Sequence, residues 1–201
     1  MIHNVKYNNQ RNNYDFHGTF QGFKQCFSTS SWMLMSFYSK KIDATDDIGL
    51  SKYFDDIEIT VGSKGIGEKV FKGSGASSFW WAVQKAGITE WLNAQGVQGE
   101  AVFRDCTLGF YDLKDLLDIG PVILGTQKLG GLPGGHIILL TGYDDVSIIA
   151  NDPYGNAATN YKDQNGEMVH YDFKMMIDHC TFKSPDKIRC MYFHKEDQHV
   201  G

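Results

Sequence analysis

The densest run of apolar residues near the start of the chain lies within residues 26–40. Its second half, from Trp32 to Tyr38, places large apolar side chains on almost every side of a helix. A helix that is apolar all round is typical of a buried element. The Ser and Thr residues at positions 28–31 suit a first turn whose backbone N–H groups need partners. The pattern therefore predicts a central buried helix with Cys26 at its N-terminal end.

The pattern over residues 42–97 is helical and rich in loops. One helix is expected to begin after Thr45 as its N-cap, and another, over residues 73–87, to end at Gly87. Between them, residues 61–75 are rich in glycine, but they neither follow a strand nor form a phosphate-binding fingerprint. We therefore expect a loop there and no nucleotide site.

From about residue 98 the pattern changes to β-branched and aromatic runs. A short helix is expected over residues 111–120, and a second one over 171–180 after a polar excursion. The expected strands cover residues 98–103, 121–127, 135–144, 146–153 and 187–195. Helices first and strands afterwards indicate an α+β fold. With no repeat and no linker, residues 1–201 are expected to form a single domain.

Charge and composition exclude several classes of function. The net charge is −5 and there is no block of Lys or Arg, so the sequence lacks the basic footprint of a nucleic-acid binder. No apolar run is long enough to span a membrane. The first 16 residues are polar, so we expect no secretory signal. The chain is expected to be a monomer.

The cysteines are too scattered for a disulfide framework or a zinc site. Without a signal for export, free thiols are favoured over a Cys180–Cys190 disulfide, and Cys106 is also expected to be a structural thiol. Cys26 differs because a helix N-terminus and a nearby imidazolium can both lower the pKa of a thiol. It is therefore the candidate nucleophile.

Among seven histidines, His136 stands apart. It follows the glycine-rich run at residues 131–135 and begins an apolar strand, a position where a substrate backbone can approach. This placement fits a general base, although a histidine at a strand end often has a purely structural role.

Residues 135–153 are typical of a β-hairpin that turns at residues 143–145. A three-residue turn places His136 directly opposite Asp152 on one face, where the carboxylate can orient the imidazole. A two-residue turn would point Asp152 away, and Asn151 is the alternative partner if the register slips. Asp152 can also begin a turn, since it precedes Pro153. Both roles can hold together.

Acyl transfer also needs donors for the developing oxyanion. The backbone N–H of Cys26 is one candidate. The side-chain amide of Gln21 is the other, against the alternative that Gln21 is an ordinary surface residue. Gln25 is adjacent to Cys26 and is expected to point away.

Two further groups of residues were considered for binding. Asp43, Asp46 and Asp47 are close enough to hold calcium, but they lack the full pattern of a calcium loop, so helix capping is the favoured interpretation. We expect no cofactor. An aromatic set could line a substrate groove, although core packing is favoured at this helical spacing: Phe79, Trp80, Trp81 and Trp91.

The order of these motifs resembles the papain-like cysteine peptidases. The motifs are Gln21, Cys26 before a buried helix, LLDIGPVIL, GGHIILLTGYD and NDPYG. They are most similar to the branch named for cleaving double-glycine leader peptides of bacteriocins. The resemblance implies a papain-like fold, with Cys26 as nucleophile, His136 as base and acid, Asp152 as orienter and Gln21 as oxyanion donor. The chain departs from the family's common Cys-Gly-Pro, since Cys26 is followed by Phe27 and Ser28.

Three hypotheses for the function follow from this resemblance. The first is a peptidoglycan hydrolase of the phage-endolysin kind, an antimicrobial peptidase or amidase that stays in the host cytoplasm until it is released to the cell wall. The second is a peptidase that processes a specific protein or leader peptide. The third is a catalytically inactive papain-like binding module.

Overall fold

The structure is a computed structural model that describes residues 1–12, 25–54, 56–57, 76–105, 112–132, 135–179 and 188–196, without the side chains of 76–79. Its α-helices in this part of the chain are α1 (Cys26–Tyr38), α2 (Asp47–Phe54), α3 (Ala76–Ala94), α4 (Asp112–Ile119) and α5 (Phe173–His179). The predicted glycine-rich loop at residues 61–75 lies outside the described residues.

One antiparallel sheet joins the strands of the second half. The strands are β1 (Gly99–Asp105), β2 (Val122–Gln127), β3 (Gly135–Tyr143), β4 (Ser147–Asn151), β5 (Val169–Asp172) and β6 (Arg189–Lys195). Their order across the sheet is β1-β6-β2-β3-β4-β5, with every neighbouring pair antiparallel. The last strand therefore lies inside the sheet, between the first and the second.

The sheet has a buried core on each face. One core packs α1, α2 and α3 against alternate residues such as Ile123, Leu139 and Met191. The other packs α4 and α5 against the intervening positions, such as Leu124 and Ile138. This alternation is the period of two expected for a sheet covered on both faces. The predicted α+β class is confirmed, and among the described residues no helix is long and apolar enough to cross a membrane.

The two predicted helix boundaries in the first half are wrong. The carboxylate of Asp46, not the side chain of Thr45, accepts the backbone N–H of Gly49 and caps α2. Helix α3 runs through Gly87 instead of ending there. A Cβ atom at Gly87 would lie 2.8 Å from Ile57 and 3.1 Å from the Tyr53 hydroxyl, so this glycine serves close packing between helices.

Between the polar excursion and α5 lies a strand that the sequence pattern did not predict. Strand β5 alternates buried and exposed residues, and it pairs with β4 from Ser147 to Ala150. The start of the predicted helix at Tyr171 is also wrong, because Tyr171 and Asp172 still belong to β5. Four residues are too short a run to separate from a polar loop by composition.

The predicted register of the β3–β4 hairpin is wrong. Tyr143 pairs with Ile148, which leaves four residues in the turn instead of three. Toward the other end of the hairpin, Leu139 pairs with Asn151, so the register shifts by one residue at Thr141. Thr141 forms a β-bulge, in which one strand carries an extra unpaired residue.

The bulge determines which face Asp152 occupies. With the register near the turn continued, Asp152 would lie across from Leu139 and would face away from His136. After the bulge, Asp152 lies across from Ile138, two residues from His136 and therefore on the same face. The two side chains meet diagonally, a separation within reach of long side chains.

The first residues of the chain pack against the bulge. His3 donates its backbone N–H to the Thr141 carbonyl (2.7 Å), and Tyr143 donates to the Met1 carbonyl (2.9 Å). Ile2 forms a bridge with Gly142, where any Cβ atom would collide with the Met1 carbonyl. A contact between residues 140 positions apart in the sequence thus holds the register shift.

Candidate active site

Cys26 is the first residue of α1, as predicted, and its side chain is partly exposed. Gln25 precedes it with φ −98° and ψ 15° and makes no capping hydrogen bond with its side chain. One turn further on, the Ser30 hydroxyl donates to the carbonyl of Ile137 (3.4 Å), the residue after His136. The start of the helix is therefore tied to β3 beside the histidine.

The Ser residues after Cys26 do not fill the first turn with capping bonds, which corrects the sequence-based expectation. The Ser28 hydroxyl accepts a hydrogen bond from the side-chain amide of Gln84 (3.0 Å). The hydroxyls of Ser31 and Tyr53 donate to the side-chain oxygen Oε1 of Gln84 (2.8 and 2.7 Å). Gln84 is fully buried and joins α1, α2 and α3. Phe27 packs edge-on against Trp81, with 4.6 Å between ring centres. The unusual followers of Cys26 are therefore held by packing.

His136 lies between Asp152 and Cys26. Its Nε2 is 2.7 Å from Oδ1 of Asp152, and the pair is almost completely buried. The Cys26 side chain also acts on this ring, and with Nε2 held by Asp152 the remaining ring nitrogen is Nδ1. Burial acts to lower the pKa of His136, but the Asp152 charge and the bonds with Asp152 and Cys26 outweigh it and raise the pKa to about 10. The imidazole is therefore held as imidazolium at neutral pH.

The Asp152 carboxylate accepts hydrogen bonds from four donors. Oδ1 accepts from His136 and from the Tyr154 backbone N–H (3.0 Å). Oδ2 accepts from the hydroxyls of Tyr171 (2.9 Å) and Tyr161 (3.2 Å). The bond from Tyr154 is that of a turn-forming Asp, so the turn role and the contact with His136 hold together. A fully buried charge with all its acceptor positions used is well fixed in orientation.

Three tyrosines contact Asp152, and the sequence pattern did not predict them. Burial, followed by the nearby Asp152 charge, raises the pKa of both Tyr161 and Tyr171, so their hydroxyls remain donors. Tyr7 donates to the Asp152 carbonyl (3.0 Å) and accepts from the Gly166 N–H (3.1 Å). The available signal was the number of tyrosines close to NDPYG, but nothing local indicates which of them point inward.

The remaining candidate residues either lie outside the described residues or make other contacts. Gln21 and Cys106 lie outside the described residues, and so does Cys180, while Cys190 is a buried free thiol whose pKa burial raises to about 12. Asn151, the alternative partner of His136, instead donates to the Val5 carbonyl (3.0 Å) and accepts from the Met168 N–H (3.0 Å).

The three candidate calcium ligands, Asp43, Asp46 and Asp47, accept hydrogen bonds from other groups of the protein. Asp43 accepts from Thr45 and Lys6, Asp46 caps α2, and Asp47 accepts from Asn8. In the described part of the chain, no group of three or more His, Cys, Asp or Glu side chains is arranged to hold a metal ion.

The aromatic set on α3 is divided between core and surface. Trp81 is buried and Trp91 packs against the same core, whereas Trp80 is 40% exposed. The side chain of Phe79 lies outside the description. Core packing thus accounts for two members of the set.

Comparison with known proteins places this site in a family. The model of the Peptidase_C39 like family matches residues 2–175, which include Cys26, His136 and Asp152. No curated protein matches the chain. A crystal structure of the Pseudomonas avirulence protein AvrPphB is similar over 80% of this chain and 84% of that chain, at 12% identity and a TM-score of 0.31, a likeness that carries no argument about the site. The chain therefore belongs to the Peptidase_C39 like family and is a cysteine peptidase.

Proposed function

We propose that Cys26, His136 and Asp152 form a catalytic triad that hydrolyses an amide bond through a thioester. The observation that carries the proposal is the arrangement of His136, whose Nε2 is held by the buried Asp152 and whose ring interacts with the Cys26 side chain. A nucleophile bonded to a base that is oriented by a third group is the signature of nucleophilic catalysis.

In the first half-reaction the Cys26 sulfur, as the thiolate partner of the His136 imidazolium, attacks the scissile carbonyl carbon. As the C–N bond breaks, the imidazolium of His136 donates its proton to the leaving amine, and the acyl group remains on sulfur as a thioester. In the second half-reaction, the neutral imidazole takes a proton from water as the water attacks the thioester. The carboxylic acid leaves, and Cys26 and the imidazolium are restored.

Asp152 orients the ring throughout this cycle. Because its Oδ1 accepts from Nε2, the other nitrogen faces Cys26 in both protonation states. For the oxyanion, the backbone N–H of Cys26 at the start of α1 is one proposed donor. Gln21 is proposed as the second donor on the resemblance to papain-like peptidases alone.

For the substrate, we favour peptidoglycan, cleaved by a peptidase or amidase of the phage-endolysin kind. The support is the resemblance to papain-like enzymes that include cell-wall hydrolases. Such an enzyme would accumulate in the host cytoplasm until its release to the wall. The experiment is incubation with purified peptidoglycan and quantification of new amino termini, with Cys26→Ala as control. Release by the parent alone supports the proposal, and no release at any pH overturns it.

A second candidate substrate is a leader peptide or another specific protein. It is favoured by the match to the Peptidase_C39 like family, which resembles the peptidases named for cleaving double-glycine leaders. Cleavage of a peptide after two small residues, with peptidoglycan left intact, would favour this candidate. The same assay with Cys26→Ala also tests the hypothesis of an inactive binding module, which predicts no difference between parent and variant.

A further inference from the structure

A short helical turn at Gln10–Asn12 places Arg11 beside the candidate site. Gln10 donates its backbone N–H to the carbonyl of Pro153 (2.8 Å), and the Asn9 amide donates to the Gln164 carbonyl (2.7 Å). The turn is therefore docked on the loop that follows Asp152. The Arg11 guanidinium carbon lies 3.8 Å above the centre of the Tyr154 ring, a cation–π contact.

The charge of Arg11 has no carboxylate partner among the described residues. Its Nε is buried and has no hydrogen-bond acceptor. By contrast, Arg189 pairs with Asp105 (3.3 Å) and Lys6 pairs with Asp43 (3.4 Å). The charge of Arg11 also acts on Tyr7. Burial raises the pKa of Tyr7 to about 12, and the positive charge of Arg11 opposes that rise. A half-buried guanidinium without a carboxylate partner among the described residues is suited to bind an anion.

A single aromatic ring separates this cation from the imidazole. The ring centres of Tyr154 and His136 are 6.1 Å apart, and Tyr161 contacts both rings (5.1 and 6.0 Å). An extended peptide advances roughly 3.3–3.6 Å per residue. Arg11 is therefore within a few residues' reach of a peptide bound beside His136.

We propose that Arg11 binds a carboxylate of the substrate and makes the enzyme selective for an acidic side chain or a free C-terminus near the scissile bond. The planar guanidinium matches a carboxylate through two parallel N–H···O bonds. In a chain of net charge −5, a cation one aromatic ring away from His136 also offsets repulsion of an anionic substrate. This assignment rests on the proposed function of the same site.

The first experiment compares two alkylating reagents of nearly equal shape, iodoacetate and iodoacetamide, on the full chain. The rate of modification of Cys26 is followed by mass spectrometry at low salt. For Arg11→Gln we expect the ratio of the iodoacetate rate to the iodoacetamide rate to fall by about 3–10-fold, because one nearby charge is lost. Arg11→Lys, which keeps the charge, should retain most of the ratio. The effect should vanish near 1 M salt.

The matched control is Lys6→Gln, which removes one positive charge from the same N-terminal segment but from an ammonium already paired with Asp43. It should leave the ratio unchanged. An equal ratio in the parent and in Arg11→Gln, or an equal fall in Lys6→Gln, would overturn the assignment of Arg11.

The second experiment separates the two sources of a carboxylate. Peptides are compared in matched pairs, a C-terminal acid against its amide and a Glu against a Gln next to the cleaved bond. Arg11→Gln should raise KM for the preferred acid with little change in kcat, and should leave the neutral partner unaffected. Because alkylation needs no hydrolysis, a changed reagent ratio without cleavage of any peptide contradicts the proposed function and still supports Arg11 as an anion site.

Discussion

Two His–Asp pairs lie at opposite ends of the β3–β4 hairpin in opposite surroundings, and the second is completed by His170 of the neighbouring strand β5. At one end His136 and Asp152 form a pair whose side chains are 4% and 0% exposed. At the other end His170 and Asp144 approach to 3.2 Å with side chains 55% and 41% exposed, and Ser147 bonds to both. Composition alone would make the second cluster, with its Ser, His and Asp, look like a catalytic triad.

The difference lies in burial and in the order of the bonds. In the exposed cluster both Ser147 and Asp144 approach the same nitrogen, Nδ1 of His170, so the ring cannot pass a proton between them. The Asp144 carboxylate instead closes a turn by accepting from the backbone of Val146 and Ser147. In the buried pair, Asp152 and Cys26 occupy opposite sides of the ring. The placement of hydrogen-bond partners around the imidazole therefore distinguishes the candidate site from a turn.

The largest expected effect on hydrolysis comes from removing the charge of Asp152, in contrast to removing the charge of Asp144 at the other end of the hairpin. Asp152→Asn should lower the rate of hydrolysis by about 10²–10⁴-fold, because a neutral amide no longer stabilises the His136 imidazolium that protonates the leaving amine. Asp144→Asn should change the rate by less than about twofold, as for an ordinary surface substitution. Steady-state kinetics on whichever substrate is cleaved makes the comparison, and similar losses in both variants would refute it.

The two pairs should also respond at opposite ends of the pH scale. The pKa of His136 is raised from 6.5 to about 10, so its stabilisation is complete below about pH 6.5 and is lost as the pH rises through 10. Hydrogen bonds from Val146 and Ser147 lower the pKa of Asp144 from 3.8 to about 2, so its stabilisation holds above pH 3.8 and is lost as the pH falls through 2.

Urea unfolding across the pH range tests this contrast by difference. His136→Gln should reduce the loss of unfolding free energy between pH 7 and 10 and leave the acid side unchanged. Asp144→Asn should do the reverse. An alkaline limb that is the same in the parent and in His136→Gln would show that the buried pair does not hold a proton as described.

The tyrosine hydroxyls on Asp152 should contribute a smaller but measurable amount. Tyr171→Phe removes a bond to a buried carboxylate and also leaves the Ala157 N–H without its acceptor. We expect a loss of about 1.5–3 kcal/mol in unfolding free energy, the range for hydrogen bonds to charged groups. Tyr143→Phe is the matched control, because its hydroxyl bonds to Asp118 at the surface. An equal loss in both variants would remove the special role of burial.

Of the four predicted effects, the smallest is expected from a change at the β-bulge. Gly142→Ala places a methyl group against the backbone of Met1 and Ile2, with an expected cost of about 1–3 kcal/mol. At Gly135 of the same strand, the only described atom that an added Cβ would meet is the Thr126 carbonyl oxygen at 3.6 Å, an ordinary contact, so Gly135→Ala is the stability control. Thermal unfolding of the two variants reports the difference, and equal midpoints would mean that the first residues do not hold the register.

Local sequence patterns predicted the elements of the site well. The apolar run after Cys26 indicated a buried helix, and the β-branched run after His136 indicated a hairpin with Asp152 on its second strand. These features depend on periodicity and burial within one segment, which a single sequence carries. The contact between His136 and Asp152 was also expected, but from a three-residue turn that does not exist.

The parts that the sequence did not predict depend on residues far apart in the chain. The shift at Thr141 needs the backbone of Met1 and His3, and the course of α3 through Gly87 needs Ile57 and Tyr53. The donors on Asp152 come from Tyr161 and Tyr171 across a polar loop. Such choices are made by tertiary packing, which overrides local propensity.

The most direct test of the account is the reactivity of Cys26 at pH 6. An ordinary thiol is only about 0.3% ionised there, and burial makes Cys190 still less reactive. In the native chain, iodoacetamide should modify Cys26 at least about 100-fold faster than any other cysteine, and His136→Ala should remove most of that advantage. Equal modification of all four cysteines, or a Cys26 rate that His136→Ala leaves unchanged, would contradict the account.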